Sequence, residues 1–276
     1  MKGSTFIGII IGAVAIFGAF VWESGSITSV SNLIMLPAMI IVFGGTFAAA
    51  LAGSSFQQML RIPNLIRLAI YPKNYDMEEL MEQIVFLASV VRLHGILALD
   101  KYLAELKHPF LRKLFEVCID GAEPEMLNHV SQTEVYHISE RHSTNISIFV
   151  KMGGFSPTMG IIGTVMGLIS TLAAAGSDPN VLIHHIASAF IATMWGIFMA
   201  NVVWLPIGDK LRTLHNSELQ VLQFIHDGVH AVLLGENPTV IKARLASAFP
   251  LSKQAAIMEK PMRVVKKEPG SPDIIH

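Results

Sequence analysis

A single cysteine, Cys118, stands in a chain of 276 residues, which excludes a disulfide framework and any multi-cysteine metal site. Charge is scarce too. Only 15% of the residues are Asp, Glu, Lys or Arg, against 52% hydrophobic ones, and the mean hydropathy of +0.52 exceeds that of ordinary soluble domains. Twenty basic and 21 acidic residues leave a net charge of −1 with no basic patch, so nothing marks a nucleic-acid surface. Catalytic signatures are missing as well: no Walker loop, no GxGxxG after a strand, no HExxH and no GxSxG elbow. The expected result is no enzyme, no cofactor and no resident metal. Lys2 precedes a long apolar run, but no small-residue cleavage site follows, so that run is not expected to be a cleavable signal. Among eleven histidines only His184 and His185 are adjacent, and adjacent helix residues do not share a face. His142 is expected on a helix surface.

What the chain has instead is four charge-free apolar runs, each of the length that spans a bilayer. They are about Thr5–Trp22, Leu33–Ala52, Met152–Gly176 and Val181–Ile207. The loops between the first two runs and between the last two contain no Lys or Arg. All basic residues lie at the amino tip, between Arg61 and Lys151, or from Lys210 onward. The excess of basic residues on the cytoplasmic side of membrane proteins therefore places both short loops outside and both termini inside. The resulting fold is an all-α integral membrane protein with four spans, a helical cytoplasmic domain between spans two and three, and a cytoplasmic tail.

The division follows directly. Residues 1–53 form a first transmembrane hairpin, 54–146 a cytoplasmic helical domain, and 147–209 a second hairpin. Residues 210–251 form a helical extension and 252–276 a disordered tail, rich in Lys, Pro and Gly and without periodicity. Helical periodicity dominates the cytoplasmic block, with breaks at Pro72, Gly95, Pro109 and Gly121–Pro124, and at Gly235–Pro238 in the extension. No alternating strand pattern appears.

The third run is a poor lipid-facing helix. Pro157, six glycines and several hydroxyls sit where leucine would serve better, and such helices persist when packed against neighbours or lining a polar path. Gly160, Gly163 and Gly167 stand three or four apart, a spacing that lets membrane helices approach closely. Thr164 lies about 20 Å above Lys151, and Thr193 about 10 Å below the outer end of span four, so the two share one depth in a core of about 30 Å. Two hydroxyls at one level can form half of an ion or water site. A threonine can also satisfy itself on its own i−4 carbonyl, and the residues alone favour that. Pro157 and Pro206 mark the cytoplasmic ends of spans three and four, where each removes a helix hydrogen bond; hinge and static kink are both open.

The stretches ERHSTNISIFVKMGGFSPTMGIIGTVMGLISTL, ASAFIATMWGIFMANVVWLPIGDKL and RLHGILALD, in this order of spans and loops, resemble the flagellar stator A-subunit family, MotA and its sodium-type relative PomA. The wider group includes the three-span ExbB and TolQ energy transducers, against which the amino-terminal hairpin argues. The resemblance implies a ring of five A-subunits around two B-subunits in the bacterial inner membrane. A MotB- or PomB-type B-subunit would supply the ion-binding Asp, and the ring would push on the rotor protein FliG. That fits the absence of Asp and Glu from all four runs. Arg92 and Asp100 match the family's torque-generating charges, with Asp100 where Glu is usual and Leu93 where a second basic residue is common. They are eight apart, too far to pair on one helix. Pro157 and Pro206 match the coupling prolines, and Thr164 and Thr193 the hydroxyls facing the partner's Asp. Thr164, where proton-type members carry Ala, implies transport of sodium, with the proton as alternative. A secondary transporter is the competing class; it predicts an inverted repeat, and the first hairpin lacks the Pro–Thr pattern of the second.

Overall fold

In the computed structural model, residues 4–72, 75–174 and 178–261 are described, and among them every regular element is helical. We number the helices α1 Ser4–Ser24, α2 Leu36–Ala52, α3 Ile62–Ile70, α4 Met77–His94, α5 Pro109–Ile119, α6 Pro124–Ala173, α7 Pro179–Leu233, α8 Pro238–Ala246 and α9 Leu251–Glu259. Short 3₁₀ segments cover Ile27–Leu33 and Ile96–Glu105, and Phe56–Met59 forms one further turn. Among the described residues three helices, α1, α6 and α7, are long and apolar enough to cross a membrane. The segment Ile27–Leu33 and α2, bent by 57° against each other, would make a fourth.

That bend corrects the start of the second apolar run. Leu33 ends the 3₁₀ segment, and α2 begins at Leu36 with Pro37 in its first turn, where the missing N–H costs nothing. The Trp195 indole N–H of α7 donates to the Leu33 carbonyl at 2.8 Å and fixes the corner. Residues 175–177, at the end of the third run, lie outside the described residues.

The chain divides into two compact units. The first is drawn from Met1–Lys73 and Arg141–His215 and holds the apolar runs. Helix α3, expected in the cytoplasmic domain, packs here instead. Its apolar face (Ile62, Leu65, Ala69) is buried with Phe149 and Met152 of α6 and Trp204 and Leu211 of α7, because a nine-residue amphipathic helix can bury its stripe only against a larger apolar surface. Helix α1 buries no residue within the chain, as expected of a helix apolar all round whose surface faces lipid or other subunits. His142, expected on a helix surface, is half-buried, and its Nδ1 lies 3.2 Å from that of His215 across α6 and α7.

The second unit, Asn74–Glu140 with Asn216–His276, has its own core. Ile84 and Leu87 of α4, Leu114 and Phe115 of α5, Leu222 and Ile225 of α7 and Ile241 of α8 are almost wholly buried. Cys118 lies in this core, 2% exposed, and burial pushes its thiol up to about 12. Helix α4 stops where expected: Gly95 adopts φ 82°, a left-handed value that a side chain would strain. The tail differs from expectation. Residues 251–259 form α9, with Ile257 buried in the core. The buried Lys242 amine donates to the carbonyls of Met258 (3.1 Å) and Lys260 (2.6 Å), so a cation closes the carbonyl end of the helix. Lys260 in turn meets Glu78 at 2.6 Å. Residues 262–276 of the expected disordered tail lie outside the described residues.

Candidate functional site at the seam of helices α6 and α7

Helix α6 runs unbroken for 50 residues with Pro157 inside it, and its membrane half meets α7 along a seam of small residues. The three glycines singled out by spacing all face this seam. A Cβ on Gly160 would stand 2.9 Å from the Ala192 carbonyl oxygen and 3.0 Å from Thr193 Cα. One on Gly163 would meet Ala192 Cβ at 2.6 Å, and one on Gly167 would meet Ala189 Cβ at 2.7 Å. Missing side chains let the two backbones touch, which is how membrane helices associate without a hydrophobic driving force. Gly196 of α7 is the partner that spacing on α6 did not reveal. A Cβ there would sit 2.6 Å from the Ser156 carbonyl and 3.1 Å from Gly160 Cα. The signal was present: Ala189, Ala192 and Gly196 recur three or four apart on α7.

This close approach brings the two threonines together. The hydroxyls of Thr164 and Thr193 hydrogen-bond to each other. Thr164 Oγ1 also lies 3.1 Å from the Gly160 carbonyl and 3.0 Å from the Ala189 carbonyl, and Thr193 Oγ1 lies 3.4 Å from that of Gly160. Two hydroxyls supply only two protons to this group of four oxygens, so lone pairs remain for a guest. Self-satisfaction on the i−4 carbonyl and pairing across the helices therefore occur at once. Both threonines are half-buried, so the pair keeps part of its surface exposed. The spans supply no charge to it.

Each proline is handled differently. Pro157 is accommodated within continuous α6. Pro206 is preceded by a π-helical turn, Met199–Trp204, in which the Leu205 N–H reaches back to the Ala200 carbonyl. The wider turn absorbs the register change that a proline inside a helix demands. At the inner end of the seam the Lys151 amine hydrogen-bonds the Gly53 carbonyl and closes the end of α2, a contact that sequence spacing did not suggest.

Arg92 and Asp100 are placed elsewhere. Arg92 lies in the last turn of α4 and Asp100 on the 3₁₀ segment beyond Gly95, so the two are not on one helix at all. Both are exposed, and neither forms an ion pair among the described residues. Between them Leu97 is 70% exposed. Among the described residues no group of three or more His, Cys, Asp or Glu side chains could hold a metal.

Comparison with known proteins adds family information to this geometry. Residues 103–223 match the model of the MotA/TolQ/ExbB proton channel family, and residues 6–95 match that of the motility protein A N-terminal region. Motility protein A of Aquifex aeolicus is 31% identical over 87% of this chain and 95% of its own length. Motility protein A of Bacillus subtilis is 29% identical, over 94% of this chain and 95% of its own. The solved flagellar MotAB stator complex of Bacillus subtilis contains a chain that superposes with a TM-score of 0.84 at 29% identity, over 94% of this chain and 100% of that one.

Proposed function

The chain belongs to the motility protein A family of the MotA/TolQ/ExbB proton channel proteins, and from that premise we propose that it is the A-subunit of a flagellar stator. It works as an ion-channel component and not as an enzyme. The observation that carries this reading is the Thr164–Thr193 hydroxyl pair, held by a glycine seam in spans that contain no carboxylate. A buried carboxylate is the usual mark of an intramembrane ion path. Here it comes from a MotB- or PomB-type B-subunit, whose single span would lie against the exposed surface of the pair and present an Asp to the two hydroxyls. Five A-subunits surround two B-subunits in the bacterial inner membrane, each with four spans and both termini in the cytoplasm, as the distribution of Lys and Arg supports. Sodium is favoured over the proton as the transported ion, because two neutral hydroxyls add ligands without adding a costly buried charge.

Incompleteness is the decisive test. Purified subunit in liposomes is expected to pass no cations, and co-reconstitution with its B-subunit is expected to open the path. Robust flux from the lone subunit would sink the proposal and favour a self-contained secondary transporter.

Arg92 and Asp100 carry the contact with the rotor protein FliG. Charge reversal at either is expected to cut torque at least several-fold while leaving membrane insertion and B-subunit association intact, since exposed charges contribute little to stability. Reversing the complementary rotor charge is expected to restore part of the rotation. A double reversal that behaves no better than the single ones removes the contact.

A further inference from the structure

Ser156 presents a buried hydroxyl for which the seam has no use. The residue is 1% exposed, and its Oγ has no hydrogen-bond partner among the described residues. Its neighbour compounds the deficit. Pro157 has no N–H, so the Gly153 carbonyl four residues back lacks its helical donor. The facing residue of α7 is Gly196, which has no side chain to offer, and its backbone closes against the Ser156 carbonyl. At membrane depth no bulk water reaches such groups, and polar atoms left over are met only within protein or along a watered path.

Ser156, Gly160 and Thr164 follow one another at four-residue steps, so their oxygens rise along one side of α6 at about 6 Å intervals. The upper end of that line is the threonine pair, and the Gly160 carbonyl lies within hydrogen-bond distance of both hydroxyls. We propose that Ser156, with the Gly153 carbonyl, forms a second and inner oxygen site that takes the transported monovalent cation, with its water, between the threonine pair and the cytoplasm. The site rests on the stator reading above. It gives Pro157 a chemical role beside any mechanical one: by withholding an N–H it leaves a carbonyl dipole for the ion.

Silver ion, a monovalent cation that bonds thiols, tests this in the complete complex with the B-subunit. Silver is expected to stop cation flux in Ser156→Cys and in Thr164→Cys but not in the unsubstituted protein, whose one cysteine, Cys118, belongs to the core of the second unit and not to the seam. Block of Thr164→Cys without block of Ser156→Cys would leave the ion path standing and overturn the inner site. Failure of silver to block either variant while both conduct would remove the path from this seam altogether. If Ser156→Cys does not conduct, Ser156→Ala decides. Flux per assembled complex is then expected to fall about five-fold, the rate equivalent of one lost neutral hydrogen bond, and unchanged flux overturns the proposal.

Discussion

Gly196→Ala is expected to abolish motility and to lower the thermal stability of the purified subunit. The added methyl would stand 2.6 Å from the Ser156 carbonyl oxygen and 3.1 Å from Gly160 Cα. Both are backbone atoms, so no rotamer change relieves the clash and α6 and α7 must separate. Overpacking of this kind costs about 1–3 kcal/mol in soluble cores. The functional cost is larger than the loss of stability, because the same separation pulls Thr193 from Thr164. Gly160→Ala is expected to act alike, since its methyl would press on the Ala192 carbonyl at 2.9 Å and on Thr193 Cα at 3.0 Å. Gly8→Ala is the control: a methyl there meets nothing within 4 Å. Melting of the detergent-solubilised variants and swimming assays provide the measurement. A motile, fully stable Gly196→Ala strain would show that the seam is not a close backbone contact.

Replacing Thr164 by Ala is expected to raise the sodium concentration that supports half-maximal swimming roughly tenfold, or to stop swimming, while Thr164→Ser restores it. The hydroxyl is within 3.0 Å of the Ala189 carbonyl and 3.1 Å of that of Gly160. Its removal deletes one ligand and loosens Thr193, its partner, a loss worth about 1–3 kcal/mol where the groups are buried. Serine keeps the oxygen and discards only the methyl group, so it separates ligand chemistry from packing. Swimming speed across sodium concentrations at fixed pH gives the answer. Speed that ignores sodium but collapses with a protonophore would make the transported ion a proton, with Thr164 holding water beside the partner's Asp.

Much of this architecture follows from local chemistry. The apolar runs, the loops empty of Lys and Arg, and the helix stop at Gly95 need nothing beyond hydropathy, charge and the conformational freedom of one glycine. The depth match of Thr164 and Thr193 was also readable, because a helix rises by a fixed amount per residue. Where spacing marks only one partner of a contact, the other stays hidden. Gly160, Gly163 and Gly167 announce a close approach, yet they do not say that Gly196 and Ala192 receive it. Arg92 and Asp100 are singled out only by the family resemblance, and their separation onto two elements is made by the turn at Gly95.

Composition misleads where a few long-range contacts outweigh it. Lys and Pro after residue 250 suggest a loose tail, but one buried isoleucine and the Lys242 amine hold α9 in place. Helix α3 falls by residue number in the helical domain expected between the hairpins, and joins the unit of apolar runs because its stripe finds Phe149 and Leu211. The sequence by itself determined which segments are apolar, where helices break, and that no carboxylate lies in the spans. Only the tertiary structure decided which backbone the glycines touch, which oxygens meet at Thr164, and that the Ser156 hydroxyl is buried without a partner. Periodicity is a property of neighbours along the chain, whereas contact and burial depend on what other segments, far away in sequence, bring to the same place.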